Sequence, residues 1–180
     1  EARLYAEDPT KEYLPQTGTL RTMQIPDHAG VRVDSGVRDG SVVSHHYDAM
    51  LAKVIAWAPT RAEALGTLSA ALARARIHGL TTNRDLLVRV LRHDEFTGRG
   101  TDTGFLDRHD VADLGGALID SDGERMHAIA ATLAQVAARR AAAPVQPTLP
   151  AGWRNNPSQL QSTGWATADG RERRVAYALH

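Results

Sequence analysis

The pattern of apolar positions changes from strand-like to helical near residue 60. Over residues 1–58, β-branched or bulky apolar side chains stand between turn signals such as Asp39-Gly40, which is typical of short strands. Trp57 falls at the end of one of these strands, where we expect it to lie in the core. This segment is therefore predicted to form the β part of the fold.

Two helices are predicted after the strand-like segment. The first opens with a capping box at Thr60, carries leucines on one face and extends to about Ile77. Gly79 then stands where a helix-ending residue with a positive φ is required, and Thr82 with Asp85 opens the second helix. Both helices are expected to pack on the sheet.

The chain is predicted to change character again beyond His109, where the first domain is expected to end. An apolar stripe indicates a third helix from about Ser121 to Arg140, and three prolines make residues 141–150 a linker. Residues 152–158 and 164–179, with an Asp-Gly turn signal, indicate two short strands in a hairpin. Because two strands alone are marginally stable, this tail is expected to belong to a larger β domain.

Composition narrows the classes of function. The 21 basic and 21 acidic residues give a formal net charge of zero, so no electrostatic footprint for nucleic acid or an anionic membrane is expected. The absence of cysteine excludes disulfides, thiolate zinc sites and thiol catalysis, and fits a cytoplasmic location. No apolar run approaches the roughly 18 residues of a membrane span.

Most polar residues form no recognisable catalytic motif. The eight histidines are scattered apart from His45-His46, whose side chains are expected on opposite faces of a strand and so cannot readily chelate one ion. No phosphate loop of the Walker type and no nucleophile elbow is present. Asp85 is explained as a helix cap and Asp102 as a turn residue, so neither is assigned general acid or base chemistry.

Five ordered phrases in the first 109 residues carry the strongest signal. They are Glu7-Asp8-Pro9, Val31–Ser35, Tyr47–Lys53, His78–Leu87 and Asp102–Leu106. In this order and at this spacing they resemble the C-terminal subdomain of biotin carboxylase, as found in biotin-dependent acyl-CoA carboxylases. The sequence departs from the family at His46, where relatives often carry tyrosine, and at Ala49, where many carry proline or serine. Neither departure removes a charged group.

The resemblance implies an α+β fold in which helices flank an antiparallel sheet. It assigns residues 1–109 to the biotin carboxylase C-terminal subdomain and residues 110–150 to a helix and linker. Residues 151–180 would then begin a truncated β-barrel domain that links to the biotin carrier, with Gly152–Asn155 in its first strand. Since Glu1 falls in the middle of an alternating, strand-like stretch, we expect the chain to be an excised fragment.

The resemblance also implies an activity for the parent protein. Biotin carboxylases use ATP and bicarbonate to carboxylate biotin through a carboxyphosphate intermediate. The implied cofactor is biotin on a carrier domain, whereas ATP and Mg²⁺ would be bound mainly by a part preceding Glu1, so the fragment alone is predicted to be inactive. The implied partners are the biotin carboxyl carrier domain and a carboxyltransferase β-subunit in an oligomeric holoenzyme. The phrase His78–Asn83 favours acyl-CoA over pyruvate or urea carboxylation.

Arg32 is the principal candidate site residue. In the resembled family the arginine of the Val-Arg-x-acid-Ser phrase binds bicarbonate and stabilises negative charge on the biotin ureido oxygen, a task that suits a guanidinium. The alternative is a surface arginine paired with Asp34, which lies two residues on and on the same strand face. Thr103 is a weaker candidate, near the adenine of the nucleotide, and its alternative is an ordinary surface turn.

A second class of function stays open beside the enzyme. The chain could be a non-catalytic docking module for carboxylase assembly, descended from the same subdomain. The corner at Trp57–Arg61 also resembles a region used for dimer contacts in free-standing biotin carboxylases. A start codon directly before Glu1 would favour the docking module.

Overall fold

The computed structural model describes residues 1–98, 101–145, 160–167 and 170–178. The chain divides into two compact units, Glu1–Leu118 and Ile119–His180. Among the described helices, none is long and apolar enough to cross a membrane.

The first unit combines short antiparallel strands with helices, as expected for an α+β fold. Its strands are β1 Ala2–Tyr5, β2 Glu7–Asp8, β3 Leu14–Pro15, β4 Gly18–Thr19, β5 Thr22–Gln24, β6 Val31–Ser35, β7 Val42–Val43, β8 Met50–Ala56 and β9 Arg76–His78. Its helices are a 3-10 turn at Pro9–Lys11, then α1 Arg61–Arg74, α2 Arg84–Arg92, α3 Asp94–Thr97, α4 Phe105–Arg108 and α5 Val111–Gly115. The pairings β2·β3, β4·β7 and β5·β9 each form a two-stranded ribbon.

A three-stranded sheet in the order β1-β8-β6 organises this unit. Ala2 pairs with Val54, and Val54 pairs with Val33, so these three side chains share one face. Ala2 and Val54 are buried there against leucines of α1 and α2, in a cluster completed by Leu68, Leu72, Val88 and Leu91. The helices therefore cover one face of the sheet and leave the other open at Arg32, Asp34 and Lys53, whereas Leu51 at its end is buried in a second cluster.

The first helix begins where the capping box predicts but ends earlier. Thr60 Oγ1 accepts a hydrogen bond from the Glu63 backbone N–H at 3.3 Å, which satisfies a free donor of the first turn. The predicted extension to Ile77 is wrong, because Ile77 lies in β9 and pairs with Met23 of β5. Gly79 has the predicted positive φ, at 113°, but it follows β9 and does not end the helix, which stops at Arg74.

The second helix begins one residue later than predicted. Asn83, rather than Thr82, is its capping residue, and the Asn83 side chain makes no cap bond within the helix. Instead, Asn83 Oδ1 accepts from the Tyr5 N–H at 2.9 Å, and its Nδ2 donates to the Arg3 carbonyl at 3.1 Å. The start of α2 is thus fixed to β1, while Asp85 accepts from Arg84 and from the Leu118 N–H.

Two expectations about exposed aromatic side chains are wrong. Trp57 is 75% exposed rather than buried, because β8 ends at Ala56 and the chain turns away from the core. His45 and His46 lie in a turn rather than a strand, so their rings do not point to opposite faces. Their ring centroids are 3.9 Å apart.

The second unit contains the predicted long helix and a hairpin. Helix α6 runs from Ser121 to Ala141, and β10 Gln161–Ala166 pairs antiparallel with β11 Glu172–Tyr177. Thr132 of α6 is 1% exposed and accepts a 2.8 Å hydrogen bond from the Trp165 indole N–H. The hairpin therefore packs on the helix. The strand predicted at 152–158 and most of the linker lie outside the described residues.

Candidate functional site

The open face of the three-stranded sheet carries the charged side chains. Because β6 alternates, Arg32 and Asp34 share this face, and the register places Lys53 of β8 directly opposite Asp34. Arg3 of β1 pairs with Lys53 on its other side. The strands thus align Arg3, Lys53 and Asp34 in one row across the sheet, and Arg32 pairs with Asp34 at its edge.

Arg32 is held in place without being buried. Its NH2 group donates to Asp34 Oδ2 at 3.2 Å, and Lys53 Nζ lies 3.8 Å from the same oxygen. The Arg32 side chain is 72% exposed. Within the described residues, its only ion pair is with Asp34. The predicted same-face pair is therefore present, and it leaves most of the five guanidinium N–H donors available.

This arrangement can bind a small planar anion. A guanidinium offers parallel donors that match the oxygens of a carboxylate or bicarbonate, and it stays protonated throughout the physiological range. The Asp34 carboxylate limits the rotamers of Arg32, and Lys53 adds a second positive charge on the same face. Exposed ion pairs of this kind contribute little to stability, so their value lies in orienting the guanidinium.

Thr103 lies apart from this face, in the turn before α4. Its side chain is exposed, and in the described structure it shares no hydrogen bond or ion pair with Arg32. Asp102 Oδ1 accepts from the Gly104 N–H at 2.9 Å and from Arg108 at 2.9 Å, and Thr101 Oγ1 donates to the Glu95 carbonyl at 2.9 Å. The turn that carries Thr103 is thus anchored on both sides.

A second group of side chains next to this turn was missed by the sequence analysis. His93, Glu95 and His109 each offer a ligand atom within 4.8 Å of the other two. A hydrogen bond from Arg108, and then one from His109, lowers the pKa of the Glu95 carboxyl. The His-x-Glu spacing in the sequence could have indicated that His93 and Glu95 lie close together. His109, fourteen residues beyond Glu95, joins them only because α4 folds back on α3.

A family model agrees with the fold of the first unit. The description of the matching family is "Biotin carboxylase C-terminal domain", and the match covers residues 1–108, which is more than half of the chain. The five phrases in the sequence fall within this match.

Two relatives show how the similarity is distributed. The α-subunit of mitochondrial methylcrotonoyl-CoA carboxylase from Glycine max is 40% identical over 109 residues, which is 61% of this chain and 15% of that protein. Biotin carboxylase 1 from Bacillus subtilis (strain 168) is 36% identical over 111 residues, or 62% of this chain and 25% of that protein. The chain therefore spans between about a seventh and a quarter of the length of these relatives.

Solved structures support the same assignment. The biotin carboxylase domain of Hydrogenobacter thermophilus 2-oxoglutarate carboxylase, in complex with MgADP, ADP and bicarbonate, is similar with a TM-score of 0.61 and 29% identity. The similarity covers 66% of this chain and 26% of that one. The biotin carboxylase subunit of a pyruvate carboxylase is 32% identical, also with a TM-score of 0.61. With this fold, these strand phrases and this match, the chain belongs to the biotin carboxylase C-terminal domain family.

Proposed function

We propose that the chain is the C-terminal part of the biotin carboxylase component of an acyl-CoA carboxylase. The parent protein would use ATP and bicarbonate to carboxylate biotin on a carrier domain, through carboxyphosphate. The observation that carries the proposal is the oriented, exposed guanidinium of Arg32 on the open sheet face, in a chain that belongs to this family. The acyl-CoA branch is supported by the methylcrotonoyl-CoA carboxylase relatives.

Arg32 would act as the anion-binding residue of this reaction. Bicarbonate carries one negative charge in a planar group, and removal of the biotin ureido proton places negative charge on the ureido oxygen. The free donors of Arg32 suit both anions, since they are charged and already oriented by Asp34. Lys53 would strengthen the positive potential of the face without replacing Asp34 as the partner that orients Arg32.

The proposed cofactors have separate roles in this reaction. Biotin supplies the nitrogen that accepts the carboxyl group, and ATP with Mg²⁺ activates bicarbonate. The open face of the sheet offers cationic donors, which suit an anion and not a metal ion. We therefore place ATP and Mg²⁺ mainly outside this chain, in keeping with the small share of each relative that it spans. Thr103 would contribute at most an exposed contact near the adenine.

The remaining organisation follows from the same proposal. Residues 1–109 would be the carboxylase subdomain, residues 110–150 a helix and linker, and residues 151–180 the start of a truncated β-barrel domain. The biotin carboxyl carrier domain and a carboxyltransferase β-subunit would be its partners in an oligomeric holoenzyme. The cytoplasmic location stays a prediction, because several relatives are mitochondrial proteins.

The test is biotin-dependent, bicarbonate-stimulated ATP hydrolysis by the full-length parent protein. Arg32→Ala is expected to lower the rate by about 10²–10³, the usual effect of removing one oxyanion donor. Arg38→Ala is the matched control, since it removes another exposed arginine a few residues away and should keep the rate of the unsubstituted protein.

Circular dichroism and the melting temperature of each variant establish that the fold is retained. An unchanged rate in folded Arg32→Ala would remove this residue from the site and leave the segment as scaffold. A parent protein without this activity would contradict the enzyme proposal and favour the docking module.

A further inference from the structure

The group formed by His93, Glu95 and His109 is distinct from the open sheet face. His93 caps the start of α3, Glu95 lies in its first turn, and His109 follows the end of α4. His109 Nε2 lies 2.7 Å from Glu95 Oε2, and the two imidazole centroids are 4.3 Å apart. All three residues are half-buried. Two nitrogen ligands and one oxygen ligand thus converge on one small volume.

The surrounding residues hold this group in position. Phe105 packs edge-on against the His93 ring, with the centroids 5.2 Å apart, and at a tilt against the His109 ring, with the centroids 4.5 Å apart. Arg108 binds the other carboxylate oxygen, Glu95 Oε1, through both Nε and NH2. This leaves Glu95 Oε2 directed to the histidines. A carboxylate oriented by a hydrogen bond to its second oxygen is the arrangement that metal sites commonly use.

We propose that His93, Glu95 and His109 bind a divalent transition-metal ion, with Zn²⁺ as the best match. Two imidazoles and one carboxylate are a ligand set that Zn²⁺ accepts, and three protein ligands leave the fourth position open to water. Bonds of about 2.0–2.2 Å in a tetrahedron require ligand atoms about 3.3–3.5 Å apart. The observed span of 4.8 Å or less reaches this geometry through small side-chain rotations.

Metal binding would exchange two existing contacts for coordination. The ion would take the place of the proton shared between His109 Nε2 and Glu95 Oε2. It would also compete with the hydrogen bond from the Glu95 N–H to His93 Nδ1, which at 3.3 Å is long. Because these contacts are few and partly exposed, the cost of giving them up is small compared with metal–ligand bonds. The ion would join the start of α3 to the end of α4, on either side of the turn that carries Thr103.

The experiment titrates the full 180-residue chain with Zn²⁺ alone by calorimetry and with Co²⁺ by visible absorption, which reports the coordination geometry. The variants are His93→Asn and His109→Asn. Asparagine is a good helix cap, so His93→Asn preserves the cap at α3 and removes only the imidazole. The double variant His45→Asn/His46→Asn is the control, since it removes the other neighbouring pair of imidazoles.

The proposal expects one Zn²⁺ per chain and a tetrahedral Co²⁺ spectrum. Each of the two single variants should weaken binding by at least about 100-fold, the upper end of what losing even an outer-shell partner costs. The double variant at His45 and His46 should bind as the unsubstituted chain does. Zn²⁺ should also raise the melting temperature of the unsubstituted chain and not that of His109→Asn.

Two results would overturn the proposal. One is the absence of stoichiometric Zn²⁺ binding by the unsubstituted chain. The other is binding that survives both single variants or is lost in the double variant, which would place the ion elsewhere. In either case the group would serve only the ion pairs of Glu95 with Arg108 and His109. None of these outcomes depends on carboxylase activity.

Discussion

Asn83 joins the start of α2 to β1 through its side-chain amide. It is 8% exposed, and it bonds the backbone N–H of Tyr5 and the carbonyl of Arg3. Asn83→Ala would leave a donor and an acceptor without partners, so we expect the free energy of unfolding to fall by about 1–3 kcal/mol. Urea denaturation measures this change. Gln16→Ala, which loses one solvent-exposed hydrogen bond, should change stability by less than about 0.5 kcal/mol, and an equal effect of both substitutions would contradict the assignment.

Glu7 gives the first unit a specific pH dependence. Burial, and then the charge of Asp48, raises the pKa of the Glu7 carboxyl. A raised pKa means that the unfolded chain loses this proton first, so Glu7 lowers stability as the pH rises from its ordinary pKa through its folded pKa. Glu7→Gln should therefore stabilise the chain at about pH 7 and have little effect near pH 3.

Urea denaturation at both pH values measures the effect of Glu7→Gln. Asp48→Asn serves as a second background, because asparagine can still accept the hydrogen bond from the Met50 N–H while losing the charge. The gain from Glu7→Gln should be smaller in that background. If Glu7→Gln stabilised the chain equally at low and neutral pH, burial would not be disfavouring the ionised Glu7 carboxylate.

At the scale of single residues, alternation along a strand was predictable and register across strands was not. The period of two put Arg32 and Asp34 on one face, and the structure shows their ion pair. Lys53 joins them only through the pairing of β6 with β8, which joins residues about twenty positions apart. His109 reaches Glu95 for the same kind of reason, so local spacing could not predict the cluster.

Among the secondary-structure elements, β9 depends on the glycine that follows it. Gly79 has a φ of 113°, and a Cβ there would lie 2.1 Å from the Thr19 carbonyl oxygen. Gly79→Ala is therefore expected to cost more than about 2 kcal/mol, from backbone strain and a contact that only main-chain movement can relieve. The measurement is the denaturant midpoint, with crude expression as a first indication.

Gly66 in the exposed part of α1 provides the matched control. A Cβ at Gly66 meets nothing within 4 Å, and alanine is the better helix former, so Gly66→Ala should stabilise by about 0.5–1 kcal/mol. The same glycine-to-alanine change is thus expected to destabilise the chain at Gly79 and to stabilise it at Gly66, so the difference comes from the position and not from the substitution itself. If Gly79→Ala were as stable as the unsubstituted chain, the tight approach of the β4–β5 segment to Gly79 would be wrong.

The bounds of the elements were predictable where a local signal sets them. Thr60 fixes the start of α1 through its own side chain, and the apolar stripe of α6 gave its bounds to within a residue. The end of α1 has no such signal. The residues before Ile77 favour a helix, and so the sequence predicts Ile77 to be helical. Its backbone groups instead pair with Met23 of β5, and this distant partner determines its conformation.

For the whole molecule, composition and phrase order indicated the class but not the boundary between compact units. The first unit runs to Leu118 because segments after His109 pack back on α2. Arg89 of α2 donates to the Leu114 carbonyl, and the Leu118 N–H donates to Asp85. Such contacts have no signature in local sequence. The proposed boundary at residue 109 follows the extent of the family resemblance, whereas the compact unit defined by packing continues to Leu118.

The hairpin of the second unit is joined to its helix by ion pairs from Arg171 and Arg173 to Glu124 and by a buried polar contact at Thr132. Thr132 Oγ1 donates to the Ala128 carbonyl at 2.8 Å and accepts from the Trp165 indole N–H at 2.8 Å. Thr132→Val keeps the shape of the side chain but leaves the indole donor without this partner, which is expected to cost about 1–3 kcal/mol. Because β10 and β11 pair mainly with each other, losing this hydrogen bond should destabilise both strands of the hairpin.

Amide hydrogen exchange followed by mass spectrometry tests this expectation peptide by peptide. In Thr132→Val, peptides from β10 and β11 should exchange faster, whereas those from β1, β6 and β8 should keep their rates, since opening in one compact unit need not open the other. Ser162→Ala, an exposed position of β10, should change neither. Faster exchange in both units of Thr132→Val would mean that the chain opens as one cooperative body, and the division at Leu118 would then have no energetic counterpart.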